Sequence, residues 1–74
     1  MTTLSDERVV LITPREYEVA QAVWSDLHGK EIARRLGISL KTVDSHLVSL
    51  RRKLGVHSRV GIALAVERKQ VVVR

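Results

Sequence analysis

The chain has 74 residues, enough for one small domain, and it contains no cysteine. Disulfide bonds and thiolate metal sites are therefore excluded, and the fold must be held together by apolar packing. The 13 lysine and arginine residues outnumber the 8 acidic residues, and the formal net charge of +5 favours an anionic partner such as nucleic acid. Aromatic residues make up only 3% of the chain, which favours duplex DNA over a single strand bound by base stacking.

The charge is unevenly distributed. Residues 1–29 carry two basic and five acidic residues, a net charge of −3, whereas residues 30–59 carry eight basic and two acidic residues, a net charge of +6. A solvated charged face is the alternative interpretation, but this clustering favours a binding face in the middle of the chain. The apolar runs are too short to span a bilayer and the N-terminus lacks a secretory pattern, so we expect a cytoplasmic protein without a membrane partner.

The first helix is predicted over about 14–26. Thr13 suits the N-cap position, Pro14 the first helical position, and Glu16 is placed to complete a capping box. Apolar residues recur at steps of three and four and line one face of this helix. They are Val19, Ala20, Val23 and Leu27.

A short helix over about 30–36 and a long helix over about 40–54 are predicted next. Gly37 suits the left-handed residue that commonly follows a helix, and Ser39 suits the N-cap of the long helix. The long helix has one apolar stripe with steps of three and four, which predicts a buried side. The stripe consists of Leu40, Val43, Leu47, Leu50 and Leu54.

A fourth helix is predicted over about 59–69, because Gly55 ends the third helix and Ser58 suits the next N-cap. The valines that follow favour extended structure. The predicted fold class is therefore all-α with four helices. The predicted domain organisation is a flexible N-terminal segment over 1–10, the helical domain over 11–70 and a short tail over 71–74.

A short helix, a turn containing glycine and a longer helix with a polar outer face are typical of a helix-turn-helix, which sets a recognition helix in the DNA major groove. The surrounding motifs are LITPRE at 11–16, KEIARRLGIS at 30–39, KTV at 41–43, His46 and RKLGV at 52–56. In these motifs the chain resembles the LuxR/GerE-type DNA-binding domain over about residues 11–68. The resemblance implies that the second and third helices form the helix-turn-helix and that the fourth is commonly used in dimerisation. Such a domain occurs as a stand-alone protein or as the C-terminal part of a response regulator.

The outer face of the third helix is the predicted base-reading surface. Helical geometry places five side chains opposite the buried stripe: Lys41, Asp44, Ser45, Val48 and Arg52. The resemblance assigns base reading to Asp44, Ser45 and Val48. A carboxylate accepts from a cytosine amino group, a hydroxyl donates or accepts, and valine contacts a thymine methyl group. Alternatively, Asp44 pairs with Lys41 or with neighbours near Arg51 and reads no base.

A second set of residues is expected to bind DNA phosphates, since cations and hydroxyls near helix starts bind anions readily. The set is Lys30, Lys41, Thr42, Arg52 and Lys53. The resemblance places Lys30, Thr42 and Lys53 against the DNA backbone. For Arg34 and Arg35 both interpretations stay open, contact with phosphates or a solvated face. His46 is expected to have a structural role. The chain also departs from the family, which often has glycine where this chain has Asp26.

The fourth helix is apolar on nearly every side over two turns, unlike a surface helix. Gly61 and Ala65 lie four residues apart, a spacing that lets a second backbone approach closely. We therefore expect a symmetric dimer whose interface consists of Val60, Gly61, Leu64 and Ala65. The alternative is that the Val71–Val73 tail or the N-terminal segment covers this face within one monomer.

These observations predict a sequence-specific regulator of transcription that binds double-stranded DNA. Its expected partners are duplex DNA, a second copy of the chain and RNA polymerase, with no cofactor, metal or small-molecule ligand. An enzyme is poorly supported because His28, His46 and His57 lie on different elements and no phosphate-binding glycine loop is present. A protein adaptor built on the same fold is the alternative function, and it would lack duplex affinity even at low salt.

Overall fold

The computed structural model describes residues 9–74, and most of the segment predicted to be flexible, 1–10, lies outside the described residues. The described elements are, in chain order, β1 (Val10–Ile12), α1 (Pro14–Trp24), α2 (Gly29–Leu36), α3 (Leu40–Leu54), α4 (Arg59–Glu67) and β2 (Val71–Val73). The four predicted helices are confirmed, and α3 has the predicted bounds.

Three helices begin with the predicted side-chain caps. The hydroxyl of Thr13 accepts the backbone N–H of Glu16 at 3.1 Å, and the Glu16 carboxylate accepts the N–H of Thr13 at 2.9 Å, which completes the capping box. Ser39 and Ser58 cap α3 and α4 in the same way. The second helix begins at Gly29, one residue earlier than predicted, because the Glu31 carboxylate accepts the N–H of His28 at 3.0 Å.

All four helices end in a turn that contains a left-handed residue. Gly37 and Gly55 occupy this position as predicted, each with a φ of 69°. The other two helices use side-chain-bearing residues, Asp26 with a φ of 65° and Lys69 with a φ of 57°. This turn ends α1 and α4 two residues before the predicted limits of 26 and 69, because a left-handed residue cannot continue a right-handed helix.

The structure adds a parallel two-stranded sheet to the expected all-α fold. Val10 lies opposite Val71 and Ile12 opposite Val73, and the N–H of Val10 donates to the carbonyl of Gln70 at 2.8 Å. Parallel strands need a long crossover, which the four helices provide. The valines predicted as a short tail therefore form β2, which pairs with the residues immediately before α1.

The core lies where α1 packs against α3 and α4. Its buried apolar side chains are Ile12, Val19, Ala20, Val23, Ile32, Ala33, Val43, Leu47, Leu50, Ile62 and Ala65. The predicted stripe of α3 is buried at its three central positions and half-buried at Leu54, but Leu40 is exposed. This correction follows from its place in the first turn, where its side chain lies against Gly29 at the edge of the domain.

We expect Lys69→Gly to stabilise the domain. A left-handed conformation costs a side-chain-bearing residue about 1 kcal/mol, and glycine adopts it without that cost. The free energy of unfolding in urea should rise by about 1 kcal/mol relative to Lys69→Ala, which removes the same side chain and keeps the backbone cost. Equal stability of the two variants would contradict the prediction.

Candidate nucleic-acid interface

The turn between α2 and α3 has the predicted helix-turn-helix geometry. Gly37 adopts the left-handed conformation, and the N–H of Ile38 donates to the carbonyl of Ala33 at 3.0 Å. Ser39 then caps α3 by accepting the N–H of Thr42 at 3.0 Å. These bonds fix the entry of the chain into α3, and α2 packs against α3 beyond the turn.

The outer face of α3 carries the residues that the sequence predicts. Five exposed side chains line one shallow depression: Lys41, Asp44, Ser45, Val48 and Arg52. Within residues 9–74 the ion pairs are Arg15–Glu18 and Lys53–Glu16, so Asp44 pairs with neither Lys41 nor Arg51. The Asp44 carboxylate and the Val48 methyl groups are therefore both open to a ligand.

The predicted phosphate-binding residues differ in their surroundings. Lys30 is exposed in the first turn of α2, and Lys41 and Thr42 are exposed in the first turn of α3. The Thr42 hydroxyl lies 2.9 Å from the Ser39 hydroxyl, which orients it at the start of the helix. Arg52 lies about three turns further along α3 on the same surface. Lys30, Lys41, Thr42 and Arg52 form no ion pair within the described part of the chain.

Lys53 is the exception. Its ammonium lies 2.9 Å from Oε1 of Glu16, and its side chain is 34% exposed. One of its three donors is therefore committed to the protein, while the exposed part of the group remains accessible to an anion.

Glu16, expected from the sequence to complete a helix cap, also joins α1 to α3 as a buried acceptor. Its residue exposure is 5%, and its carboxylate accepts from the Thr13 N–H, from the Ser49 hydroxyl at 2.6 Å and from Lys53. Burial alone would raise the pKa of Glu16, but the hydrogen bonds from Ser49, Lys53 and Thr13 and the charge of Lys53 lower it to about 2. The i, i+4 spacing of Ser49 and Lys53 places both on one flank of α3 but does not identify Glu16 as their partner.

The outward face of α4 contains two of the four residues predicted for dimerisation. Val60 is 66% exposed and Leu64 is 44% exposed. Ala65 is only 4% exposed and belongs to the core, and a Cβ at Gly61 would lie 2.5 Å from Cβ of Val56. Ala65 and Gly61 therefore pack against their own chain, and their part in a dimer interface stays a prediction.

The exposed apolar surface also includes Trp24, which the sequence analysis did not select. Its indole N–H donates to Oε1 of Glu67 at 2.7 Å, and its ring shares a surface depression with Val60 and Ala63. Of the two segments expected as alternative covers for this surface, Val71–Val73 pairs with β1, and residues 1–8 of the N-terminal segment lie outside the described residues. Trp24, Val60 and Leu64 are each exposed, and these three residues are hereafter called the α4 face.

Comparison with known proteins identifies this arrangement. Residues 10–66 match the family described as bacterial regulatory proteins, luxR family. The chain belongs to this family. The resemblance inferred from the helix-turn-helix motifs is therefore confirmed.

Curated relatives support the same assignment. This LuxR-family domain is 43% identical over 58 residues to the nitrate/nitrite response regulator protein homolog of Haemophilus influenzae, covering 78% of this chain and 28% of the relative. It is 44% identical over 52 residues to the transcriptional regulatory protein UhpA of Escherichia coli, covering 70% of this chain and 26% of the relative. The chain thus spans less than a third of the length of these relatives. The family is one of bacterial regulatory proteins and UhpA is a transcriptional regulatory protein, so the match is to regulators and not to enzymes.

Within residues 9–74, no group of three or more histidine, cysteine or acidic side chains is arranged to hold a metal ion. No helix in the same range has the length and apolar composition needed to cross a bilayer.

The acid sensitivity of the domain should depend on Glu16. Because its pKa is lowered from 4.5 to about 2, its ionised form stabilises the fold above pH 4.5, and this stabilisation is lost as the pH falls towards 2. We expect Glu16→Gln to lower the free energy of unfolding at pH 7 by up to about 3 kcal/mol. The difference in unfolding free energy between the variant and the native protein should shrink as the pH falls from 4.5 to 2. Urea titrations at several pH values test this. Glu18→Gln, on the exposed side of α1, is the control, and a difference that stays constant with pH would contradict the prediction.

Proposed function

We propose that the domain binds duplex DNA sequence-specifically, with α3 in the major groove. The observation that carries this proposal is the outer face of α3, where a carboxylate, a hydroxyl and an aliphatic side chain lie between Lys41 and Arg52 without ion pairs among the described residues. An α-helix fits the major groove, and these groups match the chemistry of base edges. The protein acts in the bacterial cytoplasm, with RNA polymerase as a further partner.

In this proposal the central residues of α3 read bases. Asp44 accepts a hydrogen bond from a cytosine amino group, and Val48, one turn later, contacts a thymine methyl group. Ser45 lies beside Asp44 and donates or accepts on the same base pair or its neighbour. The exposure of all three side chains supports these roles.

The surrounding residues bind the DNA backbone. Lys30 and Lys41 lie in the first turns of α2 and α3, where helix dipoles also favour anions. Thr42 adds a hydroxyl that is already oriented by Ser39. Arg52 and the exposed part of Lys53 extend the contact along α3, so that phosphates are bound on either side of the base-reading residues.

The proposed active form is a symmetric dimer that uses the α4 face. Val60 and Leu64 are apolar side chains that a folded monomer leaves exposed, and Trp24 adds an aromatic ring, the residue type most enriched in interfaces. A two-fold axis through this face would present two copies of α3 to half-sites about one helical turn apart.

Selection of bound duplexes from a random pool tests the DNA proposal. We expect a two-fold motif whose sequence changes in Asp44→Ala and Val48→Ala. Lys41→Ala should weaken binding to every sequence alike and reduce the slope of log K against log salt by about 1, since one phosphate contact is lost. Absence of duplex binding at low salt would overturn the proposal and favour a protein adaptor.

Sedimentation equilibrium tests the dimer. Leu64→Glu should convert the dimer to a monomer, because a charge in an apolar interface loses its hydration without gaining a partner. Leu11→Glu, which places the same charge on another exposed leucine, is the matched control and should leave the dimer intact. Since Trp24 is the only tryptophan in the chain, its emission should shift to shorter wavelength with rising protein concentration. An unchanged dimer in Leu64→Glu would contradict the assignment.

A further inference from the structure

The Glu16 carboxylate is hydrogen-bonded to one flank of α3. This flank adjoins the outer face of the helix, hereafter the DNA face, which consists of Lys41, Asp44, Ser45, Val48 and Arg52. Its two side-chain partners, Ser49 and Lys53, are four residues apart and therefore lie on one flank of the helix. Each immediately follows a residue of the DNA face, Val48 and Arg52 respectively. Because consecutive residues are about 100° apart around a helix, this flank and the DNA face are neighbours.

These bonds resist rotation of α3 about its own axis. The Ser49 hydroxyl lies 2.6 Å from Oε2 of Glu16, and the Lys53 ammonium lies 2.9 Å from Oε1. The backbone N–H of Thr13, the N-cap of α1, donates to the same Oε1 at 2.9 Å. Rotation would lengthen the hydrogen bonds to a buried charge. This costs far more free energy than the sliding of one apolar side chain over another. The side of α3 opposite the proposed DNA face rests on Val43, Leu47 and Leu50, whose apolar packing is not directional in this way.

We propose that Glu16 is a positioning residue for DNA recognition: through Ser49 and Lys53 it fixes the rotation of α3, and thereby the direction of Asp44, Ser45 and Val48, without touching DNA. The inference rests on the proposed function. Base hydrogen bonds tolerate small errors in direction poorly, whereas contacts to a continuous phosphate backbone tolerate them well. Loss of Glu16 therefore affects discrimination between sequences more than affinity for DNA in general.

The test compares two duplexes, the one selected by the native protein and one with the same composition in scrambled order. The measured quantity is the dissociation constant for the scrambled duplex divided by that for the selected duplex, both at the same salt concentration. Partial unfolding removes the same fraction of active protein from both titrations and leaves this ratio unchanged, so a purely structural role of Glu16 does not alter it. We expect Glu16→Gln, which keeps the shape of the side chain but loses its charge, to reduce the ratio about tenfold.

Two further variants complete the experiment. Ser49→Ala removes one of the bonds to Glu16 without removing a charge and should reduce the ratio about threefold; it carries the test alone if Glu16→Gln does not fold. Glu18→Gln makes the same chemical change on α1 in a carboxylate paired with Arg15, which lies away from α3, and should leave the ratio within about twofold of native.

The outcomes separate this inference from the proposed function. A ratio near 1 for the native protein overturns sequence-specific binding itself. A high native ratio that is unchanged in folded Glu16→Gln and in Ser49→Ala overturns the positioning role alone. A reduction in both variants but not in Glu18→Gln supports it.

Discussion

One buried carboxylate joins the beginning of α1 to α3, the helix proposed to enter the major groove. Glu16 is the only charged side chain buried in the described part of the chain, and removing it from water is favourable only because three donors surround it. Those donors come from the N-cap of α1 and from α3. The capping box, the packing angle between these helices and the placement of Lys53 therefore depend on the same group, and a change in any of them affects the others.

The features that the sequence predicts well are those encoded within a few residues. Thr13 and Glu16 are three residues apart, and each glycine that ends a helix acts on its own turn, so caps and boundaries follow from local chemistry. The contacts of Glu16 with Ser49 and Lys53 span 33 and 37 residues, and β1 pairs with a strand beyond all four helices. No local pattern specifies such pairs. The early ends of α1 and α4 were also missed, because Asp26 and Lys69 occupy conformations that are usual only for glycine.

The fourth helix shows why composition alone does not assign an interface. Gly61 and Ala65 have the spacing of a close helix contact, but within the monomer Gly61 already lies close to a neighbour. The neighbour is Val56 of the same chain. The apolar character on all sides of α4 then divides into two parts, an inner side with Ile62 and Ala65 in the core and an outer side with Val60 and Leu64 exposed. The outer side is the part of α4 that we propose for the dimer interface.

The position of Asp44 on a basic surface is consistent with selection for discrimination over affinity. Lys41 and Arg52 attract any duplex, whereas a carboxylate between them repels phosphate and is unfavourable wherever no base donor meets it. In the proposed complex a cytosine amino group donates a hydrogen bond to Asp44. The free-energy cost of placing the carboxylate against DNA is therefore offset only at matching sequences. This device works only if α3 keeps a fixed rotation, because a rotated helix would turn Asp44 away from the base edges. In the proposed complex the attachment of α3 through Glu16 sets that rotation, and the unpaired state of Asp44 among the described residues leaves its carboxylate available to a base.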